Sequence, residues 1–389
     1  MPLRHPCPAS AQGGADAVWA LPCYAGRMTA APLLLHVFPT FATGGAQVRL
    51  AAILNHHGQR WRHAIIAMDG VTTCRERLDP GLDVTFPEAT LPKGRTLGNL
   101  RRCRAMLRAL APDALVTSNW GSIEWAMSNL VPLARHVHVE DGLGPDEVAG
   151  QLPRRVWTRR LVLRRSTVVL PSRVLERIAL NTWRLSRRRV HYIPNGVDLA
   201  RFGTAPPCPD GPPVIGTVAA LRPEKNIGRL LHAFAAVRQA MPARLVVVGD
   251  GAERAGLQAL AASLGVAADV RFAGHLAEPR AEYAGFDLFA LSSDTEQMPL
   301  SILEAMAAHL PVAATDVGDV RGMLARENAP HIVARDAAAL ATAMLAVLRL
   351  PDRGRSIGMA NRARAEAAYS QEAMFTAWAA VLDGPDAKV

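Results

Sequence analysis

Short apolar runs alternate with amphipathic segments along most of the chain, and the alternation breaks once, at GTAPPCPDGPP (203–213). Before the break, PLLLHVF (32–38), HAIIAM (63–68), DALVTS (113–118), HVHVE (136–140), STVVLPS (166–172) and RVHYIP (189–194) read as strands. After it, VIGTVAA and ARLVVVGD restart the pattern, with further strands near 269–273 and 287–291. Helices are expected over 97–110, 122–131, 152–165, 227–240 and 253–264, and two more, 337–349 and 358–382, close the chain. Such alternation forms parallel sheets covered on both faces, and 389 residues are too many for one ordinary core. The expected fold is α/β: two doubly wound Rossmann-like domains facing a central cleft. They would occupy 28–202 and 214–365, joined by a linker at 203–213. A final helix within 366–389 is placed to cross back to the first domain. Residues 1–27 lack an apolar signal core and read as a disordered extension, with Met28 a possible true start.

Charge divides the chain. Residues 1–189 hold 26 Lys/Arg against 13 Asp/Glu, and residues 190–389 hold 18 against 21. The first half therefore suits an anionic substrate or an anionic membrane surface. No aromatic-interleaved basic stripe points to nucleic acid. Arg154–Arg155, Arg159–Arg160, Arg164–Arg165 and Arg187–Arg189 are either solvated faces or contacts to a bilayer or a pyrophosphate-linked lipid. The five cysteines (Cys7, Cys23, Cys74, Cys103, Cys208) are scattered without Cys-x-x-Cys, so neither a disulfide framework nor a zinc site is implied. No apolar run is long enough to span a membrane. These features fit a cytoplasmic protein, peripheral on the inner face of a membrane if the basic half docks there.

Ligands of doubly wound sheets bind beyond the carboxyl ends of the strands. The loops FPTFATGG, SNWGS, VEDGLGPDE, AALRPEKN, VGDGAE and SSDTEQMP all lie there. In DTEQMPLSILEAMAAHLPVAATDVG (294–318), Pro299 marks a helix start, and a helix start offers unpaired N–H groups to an anion. Met298, Leu300 and Ser301 would present those donors to a phosphate. Glu304, one turn in, could accept from a ribose diol, and Glu296 is free to meet a sugar hydroxyl; the alternative is that Glu296 is a solvated loop residue and Glu304 a helix-surface acid. Lys225 could neutralise a diphosphate as charge builds on a leaving nucleotide, with Arg222 beside it, or both belong to a surface helix start. Gly44 and Gly45 let backbone approach a phosphate or sugar closely, or simply turn the chain into a helix. VGDGAERAG is a partial dinucleotide fingerprint whose third glycine, Gly256, comes too late.

The segment TEQMPLSILEAMAAHLPVAATDVG resembles the donor-site motif of the family-four retaining glycosyltransferases, which have the GT-B fold. The resemblance runs over roughly 33–382 and includes GGAQ, YIPNGVD, LRPEKNIGRLLHAF, ARLVVVGDGAER and VRFAGHL. It implies transfer of a sugar from a nucleoside-diphosphate sugar to a hydroxyl acceptor, with retention at the anomeric carbon and with neither a metal nor another cofactor. It places Glu296, Lys225 and Asp141 at the reacting centre. Gly44, Gly45, Arg222, Lys225, His275, Met298, Leu300, Ser301 and Glu304 would hold the donor. The acceptor would be a hydroxyl, lipid-linked or in a cell-surface polysaccharide.

The chain departs from the family pattern at four places. Ala220 stands where an arginine is usual, Asp141 where a histidine is usual, and Gln297 and His309 where glycines are usual. His138, two residues before Glu140, is a core histidine or a displaced site residue. Two other readings remain: a sugar-nucleotide epimerase, which can share this two-domain fold, or, given these departures, a non-catalytic partner subunit.

Overall fold

The computed structural model describes residues 31–384 apart from 90, 93, 148–149, 204–210 and 277. The expected extension 1–27, Met28, Cys7, Cys23, Cys208, Lys93, Lys388 and most of the expected linker lie outside the described residues.

Seven strands form the first sheet: β1 (Leu33–Phe38), β2 (Arg62–Ala67), β3 (Val84–Thr85), β4 (Ala114–Ser118), β5 (Arg135–Val139), β6 (Thr167–Leu170) and β7 (Val190–Tyr192). Six form the second: β8 (Val214–Val218), β9 (Arg244–Val248), β10 (Val270–Gly274), β11 (Leu288–Leu291), β12 (Val312–Thr315) and β13 (Ile332–Val333). The orders are β3-β2-β1-β4-β5-β6-β7 and β10-β9-β8-β11-β12-β13. Every ladder is parallel. These are two doubly wound, Rossmann-like halves. In each, strand order reverses once, between β1 and β4 and between β8 and β11, and loops diverge at that point to leave a crevice.

Period-two alternation builds the cores. In the second sheet Ile215, Leu245, Val247, Leu288 and Ala290 point to one face, with Leu230, Phe234 and Met344 from helices Ile227–Ala240 and Ala337–Leu348. Val246, Val248, Phe289, Leu291 and Val312 point to the other, with Ile302, Leu303 and Met306 from helix Leu300–Ala307. Gly216 in β8 is required because a Cβ there would sit 2.1 Å from the Phe286 ring.

The single helix expected over 358–382 is two, Arg355–Ala368 and Gln371–Asp383. The break has a long-range cause. Val197 N donates to Tyr369 O at 2.9 Å, and Val197 bridges Ser370 in parallel. Ser370 then caps the last helix by accepting from Ala373 N. That helix buries Met374, Phe375, Trp378 and Leu382 in the core of the first sheet. Arg135 holds its last turn through the carbonyls of Val381 and Leu382. The helix expected over 122–131 is likewise shorter, Ile123–Ser128.

Candidate functional site

The switch point of the second half brings Lys225 and Glu296 together. Lys225 follows β8 and Glu296 follows β11, which are neighbours. Lys225 Nζ donates to Glu296 Oε1 at 2.6 Å, and Ser293 Oγ donates to the same oxygen at 2.8 Å. The two loops are clamped along their length. Asp294 N donates to Glu224 O at 2.8 Å, and Ser292 Oγ to Lys225 O at 3.0 Å. Arg229 and Asn226 hold the Asp294 carboxylate at 2.6 and 3.0 Å. Partial burial would raise the Asp294 pKa, but these donors outweigh it and hold it low. Asn226 also caps helix Ile227–Ala240 from a left-handed conformation (φ 44°). Sequence reasoning passed over Ser293, Asn226 and Arg229. An Asn directly before an apolar helix was the available signal for the cap.

Pro299 is the residue preceding helix Leu300–Ala307 (φ −68°, ψ 125°), so the helix opens at Leu300 and Ser301. Glu304 lies one turn inside. Tyr283 Oη donates to Glu304 Oε2 at 2.6 Å and lies 3.3 Å from Ser301 O. Burial raises the Glu304 pKa, and the Tyr283 hydrogen bond only partly offsets that. Leu300 and Glu304 line a cavity of about 460 Å³ of mixed charge, with Arg49, Arg77, Arg201 and Arg280 and the acids Asp198 and Glu278. Lys225, Glu296 and His275 do not line it. Arg222 is exposed, 3.9 Å from Glu224, and His275 is exposed after β10. In the partial fingerprint, Gly249 and Gly251 serve loop packing: a Cβ there would sit 1.8 Å from Ala219 O and 2.4 Å from Leu221 O.

Loops of the first half face this motif directly. Gly44 precedes helix Gly45–His57, and a Cβ on Gly45 would lie 3.6 Å from Leu300 Cδ1. The N-termini of these two helices therefore approach one another across the cleft, each with unpaired N–H groups and a partial positive charge. Asn195 Nδ2 donates to Met298 O at 2.9 Å. Ser172 Oγ lies 3.2 Å from Gln297 Oε1, and a Cβ on Gly142 would lie 3.6 Å from Gln297 Cγ. Gln297 thus fills space that a glycine would leave open.

Asp141 lies in the loop after β5. Arg49 grips its carboxylate at 2.6 and 3.0 Å and also donates to Asn195 Oδ1 at 2.9 Å. Sequence reasoning missed Arg49; the hint was an arginine on the otherwise apolar face of helix Gly45–His57. His138 is fully buried, between Thr117 Oγ1 at 2.8 Å and Glu140 Oε2 at 3.5 Å. Behind the loop, the buried Arg159 guanidinium donates to Glu140 at 3.2 Å and to Glu147 twice at 3.1 Å. It lies between the Trp120 and Trp183 rings. Burial pushes the Glu147 carboxyl up, but Arg159 and Arg155 outweigh this and hold it low.

Two family models match the chain: Glycosyltransferase Family 4 over residues 43–201 and Glycosyl transferases group 1 over 212–349. A GDP-mannose-dependent alpha-mannosyltransferase of Mycolicibacterium smegmatis is 32% identical over 257 residues, 62% of this chain and 65% of that protein. One of the same description from Mycobacterium tuberculosis is 39% identical over 146 residues, 35% of this chain and 36% of that protein. The matches thus span less than two thirds of either relative. Anabaena HepE in complex with UDP and glucose superimposes with a TM-score of 0.75 at 19% identity, over 90% of this chain and 99% of HepE. With both family models matched in sequence order and a GT-B structural neighbour, the chain belongs to the family-four glycosyltransferases of GT-B fold.

Proposed function

We propose that the protein is a retaining, metal-independent glycosyltransferase moving a sugar from a nucleoside diphosphate to a hydroxyl. The observation that carries this is the Lys225–Glu296 pair at the switch point, beside a helix N-terminus that faces a second one. In this reading Lys225, Arg222 and the N–H groups at Leu300 and Ser301 hold the diphosphate, where negative charge grows as the glycosidic bond breaks. Gly44, Gly45 and Met298 close around it. Glu296 takes a hydroxyl of the sugar. Glu304 takes the ribose diol in the cavity that it lines, with His275 along the base. Asp141, oriented by Arg49, faces the anomeric centre and the acceptor. The leaving phosphate itself would help to remove the acceptor proton on the same face of the sugar, so configuration is kept and no other cofactor is needed.

Relatives described as GDP-mannose-dependent make GDP-mannose the first donor to test. A phosphatidyl-myo-inositol mannosyltransferase of Mycobacterium leprae, 33% identical over 166 residues, favours a lipid-linked acceptor in glycolipid or cell-surface polysaccharide synthesis. Among the described residues no helix is long and apolar enough to cross a membrane. In this reading the enzyme works in the cytoplasm, docked on the inner face of the membrane that carries its acceptor.

The test is incubation with GDP-, UDP-, ADP- and TDP-sugars and with lipid-linked or soluble glycan acceptors. Nucleotide release and product anomer are read by NMR. Transfer with the donor's anomeric configuration supports the reading. An altered free sugar without acceptor would mark an epimerase. The partner-subunit alternative draws on Gln297, which reaches Ser172 across the cleft; no nucleotide binding and no turnover would favour it.

A further inference from the structure

We propose that one face of the first half docks onto an anionic lipid bilayer through a preformed apolar turn and the basic helix beside it. The proposal rests on the membrane part of the reading above and names the residues that make the contact. Val131 (69% exposed), Trp157 (67%) and Leu161 (54%) are among the most exposed large apolar side chains of the described residues, and Leu130 and Leu133 are exposed beside Val131. Trp157 and Leu161 lie one turn apart on helix Pro153–Val162 and share a face. A groove of about 260 Å³ joins the two groups, lined by Leu130, Pro132 and Leu161 and by Arg164, Arg165 and Arg189.

The apolar turn is built rather than loose. Arg104 donates to the carbonyls of Ser128 and Val131, each at 2.8 Å. Asn129 is buried; its Oδ1 accepts from Leu133 N at 2.8 Å and its Nδ2 donates to Ala134 O at 2.9 Å. The three exposed apolar side chains of the turn, Leu130, Val131 and Leu133, are thus presented on a backbone that is already fixed.

Charge completes the match. Arg155 and Arg159 of the helix are paired with Asp146, Glu140 and Glu147, but Arg164, Arg165 and Arg189 line the groove and are exposed, and residues 148–175 and 125–139 contain no Asp or Glu. Arginine heads at the level of lipid phosphates, with Trp, Leu and Val reaching the acyl boundary, suit an interfacial site on anionic lipid. A protein partner would find few acids there to pair with its own cations, and nucleic acid would gain nothing from Val131 or Leu161. The turn and the helix end precede β5 and β6, whereas the donor loops follow the carboxyl ends of strands. Changes on this face should leave nucleotide binding intact.

The test is co-sedimentation of the full chain with vesicles of phosphatidylcholine alone and with about one third phosphatidylglycerol. Wild type should pellet with the anionic vesicles, and its tryptophan emission should shift to the blue. Val131→Ser/Trp157→Ser/Leu161→Ser should lower partitioning about tenfold or more, and Arg164→Gln/Arg165→Gln should weaken the salt dependence. Both variants should melt as wild type and keep the nucleotide-induced thermal shift. If wild type ignores anionic vesicles, the docking proposal and the membrane part of the functional reading both fall, while the nucleotide shift reports on sugar transfer separately. If the triple variant pellets like wild type, this face is wrong although the membrane reading stands. Loss of a dimer in the triple variant with vesicle binding unchanged would assign the face to a second copy and overturn the proposal, as would retention of wild type on RNA but not on vesicles.

Discussion

Glu304 sits where stability and binding conflict. Burial holds its pKa above 4.5, so its favourable contribution to folding is fully present below about pH 4.5 and is lost as pH rises through the raised folded value. Glu304→Gln removes that loss and can still accept from Tyr283. The melting temperature of the variant relative to wild type should therefore rise between pH 4 and pH 7, while nucleotide stabilisation falls. Calorimetric scans at both pH values, with and without nucleotide, check this; an unchanged nucleotide response would detach Glu304 from the ribose. His309 poses a similar question. It holds φ 58°, a conformation that costs a side chain about 1 kcal/mol and glycine little, and it follows the end of helix Leu300–Ala307. His309→Gly should stabilise the fold by up to about 1 kcal/mol in urea titration, less whatever its contact with Gly203 supplies.

At the scale of elements, the buried arginine behind the Asp141 loop is the most exposed to perturbation. Arg159→Ala would leave Glu140 buried without its cation and Glu147 with Arg155 alone. The expected cost is about 3–5 kcal/mol in chemical denaturation; a change under about 1 kcal/mol would mean that the carboxylates find other partners. Most elements were legible in the sequence because strand and helix periods are local. Helix Ile227–Ala240 falls on its expected bounds, and β10 and β11 lie within a residue or so of theirs. The break at Tyr369–Ser370 was not legible, because its cause, Val197, lies far upstream. The same limit hid Arg49, whose partners Asp141 and Asn195 are 92 and 146 residues away. The Lys225 and Glu296 loops were readable from motif and strand order, whereas the Asp294 clamp between them emerges only from adjacency of β8 and β11.

At the scale of the whole molecule, specific contacts join the two halves. Helix Arg173–Asn181 is capped partly by its own Ser172, through Leu175 N at 3.1 Å, and partly by Asp319 of the opposite half. Asp319 accepts from Arg173 N, and from Val174 N at 3.0 Å. A helix cap shared between halves favours the closed cleft by roughly the worth of a cap, about 1 kcal/mol. Asp319→Ala should increase the radius of gyration in X-ray scattering and raise KM more than it lowers kcat; an unchanged scattering profile would limit Asp319 to local capping. The central claim, that the switch point of the second half grips a sugar nucleotide, is tested most directly by calorimetric titration of wild type, Lys225→Ala and Glu304→Gln with GDP-mannose and the UDP-, ADP- and TDP-sugars. Binding of one donor by wild type, with affinity at least about tenfold lower in each variant, is the expected result. Wild-type affinity in both variants, or no binding of any sugar nucleotide by wild type, would contradict it.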